Sequence, residues 1–161
     1  MSSRNLQDEF LTEAEFRAWH GCLRFSNNAI FALDQALRAA HEISLSEFDV
    51  LITLFNAPDH RLGMSALADR VLLSPAGTTH LVTRLERDQM VRREGDPTDG
   101  RKWFTVLTEE GDLTLRAARR THNDVLRRTL LDVTTPKERQ TFRRHWQRLS
   151  ELQLHPLSPP D

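Results

Sequence analysis

Ala76, Gly77, Thr79, His80, Thr83 and Arg84 recur at spacings that place them on one side of a helix, with Ser74 just ahead of it. Two are small, and the rest carry a hydroxyl, an imidazole or a guanidinium. Such a face can exchange hydrogen bonds with a polar, anionic surface, and its small residues let the backbone come close. Arg92, Asp99 and Arg101 follow in a stretch dense in turn formers and add two cations and a carboxylate. This is binding chemistry rather than bond-breaking chemistry. The chain has no Gly-rich phosphate loop, nucleophile elbow, metal triad or paired-carboxylate signature, so an enzyme is not expected. The histidines, at 20, 41, 60, 80, 122, 145 and 155, form no tight i, i+4 pair and have no grouped acidic neighbours. Neither a metal site nor a cofactor is expected.

The elements that must position these residues can be read outward from them. Leu67, Ala68, Val71 and Leu72 are apolar at helical spacing and predict a short helix with one buried face. Ser74 offers an N-cap oxygen, and Pro75 takes the first helical position, where its missing N–H costs nothing. A second helix is expected over 75–87, with Thr78, Leu81, Val82 and Leu85 inward. Two short helices joined by a tight turn, the second polar outside, are the pattern of a helix-turn-helix. The period then changes to alternation. Residues 91–94 and 102–108 predict two strands, separated by Gly-Asp-Pro-Thr-Asp-Gly, a run of turn formers. Arg61-Leu62-Gly63 is expected to add a short third strand. A β-hairpin appended to a helix-turn-helix is a winged helix, with its wing over 95–101.

The run LADRVLLSPAGTTHLVTRLERDQMVRREGDPTDGRKWFTVLTEEG resembles the central motif of MarR-type transcriptional regulators, and LSEFDVLITLFNAP before it resembles that family's second helix. The resemblance covers roughly residues 12 to 152. Its most specific part is the Asp-Pro-x-Asp-x-Arg turn followed by a strand and Leu-Thr-x-x-Gly. It implies a homodimer on double-stranded DNA, with helix 75–87 in the major groove and Arg101, oriented by Asp99, at the minor groove. It further implies control by a small aromatic or anionic effector held between dimer helices and reading domain. Two positions depart from the family: His80 and Gly100 each stand where arginine is frequent.

The chain has 161 residues, of which 39% are hydrophobic, and a formal net charge of −1. Its mean hydropathy is −0.52. Net charge alone argues against a nucleic-acid binder, but the distribution of that charge points the other way. Residues 1–60 carry four basic against nine acidic side chains, residues 61–105 eight against six, and residues 106–161 ten against eight. Positive charge therefore collects in the reading segment and the C-terminal helices, a modest electrostatic footprint. Cys22 is the only cysteine, which excludes an intrachain disulfide and makes a reducing compartment the default. The polar N-terminus with Arg4, Asp8 and Glu9 does not read as a signal peptide, and no apolar run is long enough to span a bilayer. A cytoplasmic protein without a membrane partner is expected.

The flanking segments read as dimer machinery. Residues 1–43 are expected to form a loose arm and a long helix opened by the capping box Thr12-Glu-Ala-Glu15. Phe16, Trp19, Leu23, Ser26, Ile30, Leu33, Leu37 and Ala40 make its seam, too long to be covered inside one small domain. Residues 44–108 form the winged domain, opened by a second capping box, Ser44-Leu-Ser-Glu47, whose core helix is expected to run to about Ala57. Residues 109–153 supply two more helices. The first is expected to run to about Val133 with Leu115, Ala118, His122, Leu126, Leu130 and Val133 inward. The second opens at Thr135-Pro-Lys-Glu138, carries Phe142, Trp146 and Leu149, and ends near Gln153. Residues 154–161 are an irregular, Pro-rich tail. The fold expected is mainly α with a small β-wing, and a twofold dimer is the simplest way to cover the outer stripes.

Trp19, His20, Phe48 and Asp49 lie in segments suited to an effector pocket, although dimer seam and core account for them better. Cys22 invites comparison with cysteine-based redox sensors among MarR relatives. Those activate the thiolate with tyrosines, of which this chain has none, so a small buried hydrophobe is the better reading. The leading expectation is a regulator that represses from a pseudo-palindromic operator. The alternative is a winged-helix interaction module, or an orphan regulator without a ligand.

Overall fold

Hydroxyl caps set where three of the helices begin. Thr12, Ser44 and Thr135 each accept from the backbone N–H three residues on, and Glu15, Glu47 and Glu138 reach back to the cap's own N–H. All three expected capping boxes form, satisfying N–H groups that the helix itself leaves unpaired. The computed structural model describes residues 11–96, 99 and 102–151. Their elements run α1 (Glu13–His41), α2 (Leu45–Phe55), a 3-10 turn (Pro58–His60), β1 (Arg61–Gly63), α3 (Met64–Ala68), α4 (Pro75–Arg87), β2 (Val91–Gly95), β3 (Trp103–Leu107), α5 (Glu109–Leu126), a π turn (Arg127–Leu131) and α6 (Pro136–Ser150). The expected arm over residues 1–10 and the tail lie outside the described residues. The fold is mainly helical with one small antiparallel sheet in the order β1-β3-β2. Val91 faces Leu107 and Gly95 faces Trp103 in the wing ladder, and Leu62 pairs with Thr105 on the other side.

The chain divides into two units, Met1–Val125 and Leu126–Asp161. In the first, α2 is the centre, as its near-continuous apolar sequence predicts. Its Val50, Leu51 and Leu54 are fully buried and join a cluster with Leu37 of α1, Leu67 of α3, Val82 and Leu85 of α4, and Leu115 of α5. Each such leucine contributes about 1.5–3 kcal/mol by leaving water, so this cluster sets the position of α4. The start of α5 is packed with no spare room. A Cβ at Gly111 would lie 2.1 Å from the carbonyl oxygen of Met90. Thr108 fastens the same junction: its hydroxyl donates to Gln89 O at 2.7 Å and accepts from Gly111 N at 3.0 Å.

Three expectations are corrected. The first helix of the pair is shorter than its apolar spacing predicts, ending at Ala68, and only Val71 of the Val71–Leu72 pair is buried. Leu72 is 89% exposed. Its backbone N–H donates to Asp49 Oδ2 at 2.9 Å, and this tether holds the chain in a non-helical turn. The helix begun at Glu109 does not continue regularly to Val133. At Arg127–Leu131 it widens into a π turn, closed by Asp132 N donating to Arg127 O at 2.8 Å. One extra residue in a turn rotates everything after it by about 100°, and Val133 is exposed. Cys22 is partly exposed rather than enclosed.

The seam of α1 splits in two. Leu33 and Leu37 are buried in the core, whereas Phe16, Trp19, Leu23 and Ile30 are exposed. In the second unit, Arg139 donates to Leu131 O at 2.8 Å and to Thr134 O, closing the turn before α6. The apolar edge of α6, Phe142, Trp146 and Leu149, is exposed.

Candidate nucleic-acid interface

α4 is built as its sequence dictates. Ser74 Oγ accepts from Gly77 N at 3.2 Å, and Pro75 follows as the first helical residue. A Cβ on Gly77 would sit 3.2 Å from that capping oxygen, so the glycine serves the cap as well as the smooth outer surface. Thr78, Val82 and Leu85 are buried and Leu81 is half-buried. Ala76, Thr79, His80, Thr83 and Arg84 are exposed along one side. The Thr79 and Thr83 hydroxyls donate to the carbonyls of Pro75 and Thr79 at 3.1 and 3.0 Å. That fixes their rotamers and leaves the oxygens outward as acceptors. Thr83 Oγ1 already takes one such bond, from Arg93 Nη2 at 3.1 Å.

Arg84 is not simply a solvated cation. Its Nε lies 3.0 Å from Oε1 of Glu47, a carboxylate that is 2% exposed. The other oxygen of Glu47 accepts from the backbone N–H and the hydroxyl of Ser44, at 2.6 and 2.7 Å. The capping box locates Glu47 in the sequence. Nothing local indicates that its second oxygen turns toward α4.

In the hairpin, Arg92 is engaged by Glu94 on the same strand, and Arg93 reaches Glu86 of α4 at 3.3 Å. Asp99 N donates to Asp96 Oδ1 at 3.3 Å, Lys102 N donates to Asp99 O at 2.9 Å, and Asp96 N donates to Lys102 O at 2.9 Å. Lys102, which the sequence did not single out, also places Nζ 3.4 Å from Asp99 Oδ2. Arg101 and Gly100, with Pro97 and Thr98, lie outside the described residues. Between α4 and the sheet runs a groove of about 340 Å³ lined by Thr79, Arg93 and Trp103 among others. The recognition face and the hairpin base are therefore adjoining walls of one surface.

The effector candidates divide. Phe48 and Asp49 line a groove of about 520 Å³ on the α1, α2 and α5 side, together with Ile30, Ile52, Arg119 and His122. Trp19 and His20 do not: they sit on the exposed half of α1, where His20 stacks on Phe16 at 5.6 Å. His122 stacks on Phe48 with ring centroids 4.5 Å apart. Burial pushes its imidazole below the ordinary value, partly opposed by the Asn123 side chain. Arg119 and His122 were not among the sequence candidates, because their approach to Phe48 depends on how α5 docks. Among the described residues no three His, Cys, Asp or Glu side chains are grouped to hold a metal. No described helix is long and apolar enough to cross a membrane.

A helix-turn-helix with an antiparallel wing, its second helix capped and polar outside, defines a winged-helix protein. The model of the MarR family matches residues 43–103, the segment that holds α2, the helix-turn-helix and the start of β3. The chain is 34% identical over 71 residues to the HTH-type transcriptional regulator MhqR of Bacillus subtilis (44% of this chain, 48% of that protein). It is 39% identical over 77 residues to the HTH-type transcriptional repressor YetL of the same organism (48% of this chain, 46% of that protein). The chain thus spans about half the length of these curated relatives. The fold extends further: the crystal structure of Sco3205, a MarR family regulator from Streptomyces coelicolor in complex with DNA, superposes with a TM-score of 0.84 at 29% identity. That likeness covers 88% of this chain and 89% of Sco3205.

Proposed function

We propose that the chain is a cytoplasmic transcriptional regulator that acts as a homodimer on a pseudo-palindromic operator. α4 enters the major groove of each half-site, and the wing lies at the minor groove. The observation that carries this reading is the exposed row Thr79, His80, Thr83 and Arg84 on a helix whose opposite face is locked into the core. Side chains on a rigidly held helix can meet base edges without a large ordering cost. The similarity to Sco3205, solved with DNA, supports the same use of the fold. Ser74, Ala76 and Gly77 keep the N-terminus of α4 slim for a close approach to phosphates. Arg92, Asp99 and Arg101 form the minor-groove arm, where an arginine responds to groove width rather than to a base code.

The dimer reading is supported by the uncovered apolar faces of α1 and α6. Repression is supported by the likeness to YetL, a repressor. Release by a small aromatic or anionic effector is supported by the groove at Phe48 and Asp49, which sets Arg119 and His122 beside an apolar wall. An effector works there only if it binds one dimer geometry more tightly than the other. No catalytic step belongs to this reading.

The test is a gel shift on the DNA immediately upstream of the coding sequence, for the wild type, His80→Ala and Arg101→Ala at two salt concentrations. Tight binding that weakens steeply with salt and is reduced by either substitution is expected. A folded dimer that binds no duplex at low salt would leave a winged-helix interaction module as the reading.

A further inference from the structure

A third groove, of about 380 Å³, opens beside the first half of α4. Arg38 comes to it from the end of α1, Ser46 from the start of α2, and Gly77, His80 and Arg84 from α4. Its two arginines are held in the same way. Arg38 Nε donates to Asp34 Oδ2 at 2.6 Å, and Arg84 Nε lies 3.0 Å from Glu47 Oε1. Both acids are themselves braced at the start of α2: Asp34 Oδ1 accepts from Leu45 N at 2.9 Å, and Glu47 Oε2 from Ser44 N at 2.6 Å. A guanidinium has five N–H donors, so one engaged at Nε keeps its terminal amino groups for a second acceptor. The planar fork suits the tetrahedral oxygens of a phosphate. Because Ser44 N and Leu45 N are already satisfied, the groove presents side chains rather than a bare helix end.

We propose that this groove seats one backbone phosphate of the bound duplex, clamped by Arg38 and Arg84, with the Ser46 hydroxyl as a further donor. The proposal rests on the DNA-binding reading above and extends the interface to α1 and α2. In some helix-turn-helix domains the junction between the two helices ahead of the recognition helix contacts the sugar-phosphate backbone, and the α1–α2 junction holds the corresponding place here. A contact there positions the protein and carries no sequence information. Asp34 and Glu47 lower the local positive potential but fix both forks in place, so the contact is one of orientation more than of bulk charge.

The experiment compares wild type, Arg38→Ala and Arg38→Lys on the upstream duplex and on an unrelated duplex, from about 50 to about 200 mM salt. Arg38 is half-exposed and its pair with Asp34 lies at the surface, so Arg38→Ala should melt with the wild type. It should bind both duplexes roughly 10-fold more weakly, with the slope of log affinity against log salt reduced by about one. Arg38→Lys should keep the wild-type slope. Wild-type affinity and slope in Arg38→Ala would overturn the phosphate seat and leave the DNA-binding reading standing. Weaker binding with an unchanged slope would also overturn it, since no phosphate contact would have been lost. A wild type that binds neither duplex would overturn both.

Discussion

The Nε of Arg84, on the outward side of α4, lies 3.0 Å from Oε1 of Glu47, the buried capping-box carboxylate of α2. A residue that the spacing assigns to the binding face is therefore also a strut between the recognition helix and the core helix. Arg84→Ala should lower stability in the absence of DNA by about 1–2 kcal/mol. That is less than for a fully buried pair because the guanidinium is half-exposed, and more than the ~0.5 kcal/mol of an ordinary surface change. Urea unfolding measures it directly. A variant as stable as the wild type would show that the pair adds nothing to the fold and that Arg84 faces DNA alone.

Among the described glycines, Gly111 has the least room. Because a Cβ there would meet the Met90 carbonyl at 2.1 Å, Gly111→Ala must push α5 away from the wing. We expect a loss of roughly 3 kcal/mol, seen as a lower denaturation midpoint with an unchanged slope. A shift no larger than that of an exposed Ala substitution on α4 would mean that this junction yields easily.

The exposed half of the α1 seam predicts a dimer that depends on it. Trp19 is 57% exposed, so Trp19→Asp disturbs no core contact of the described unit. Sedimentation should show the wild type as a dimer and Trp19→Asp shifted toward monomer, with helical content by circular dichroism retained. A variant that stays dimeric at the same concentrations would place the interface elsewhere.

His122 gives stability a pH dependence of defined sign. Burial against Phe48 depresses its folded pKa below the unfolded value of about 6.5, so the unfolded chain binds more protons there. Its contribution is complete above that unfolded value and is lost as pH falls through the depressed folded pKa. Thermal unfolding measured on either side of pH 6.5 should show the loss in the wild type and a flatter profile in His122→Gln. Parallel profiles would assign the acid sensitivity to other groups.

Much of the architecture was legible because its signals are local. A capping box operates over three residues, and Thr12, Ser44 and Thr135 each mark a helix start that the structure reproduces. The Ser74-Pro75 start of α4 and the switch to alternation at Val91 are likewise short-range. Both the recognition helix and the wing strands therefore fall where the pattern puts them. The inward set Thr78, Val82 and Leu85 follows from helical period alone.

What the sequence by itself determined, then, is which segments are helix or strand and which face of each is apolar. Tertiary structure alone decided which polar groups of separate elements meet. Glu47 reaches Arg84, Asp49 holds the Leu72 N–H, and His122 lies on Phe48. Each pairing joins residues remote in the chain, brought together by packing around α2. The residues involved carry no mark of it, because their propensities and periodicity are those of any cap, turn or helix face. The same reason explains why Leu72 and Val133 are exposed where their spacing predicts burial. An apolar residue in phase with a helix is buried only if the helix continues in register, and a distant carboxylate or a single π turn is enough to break that register.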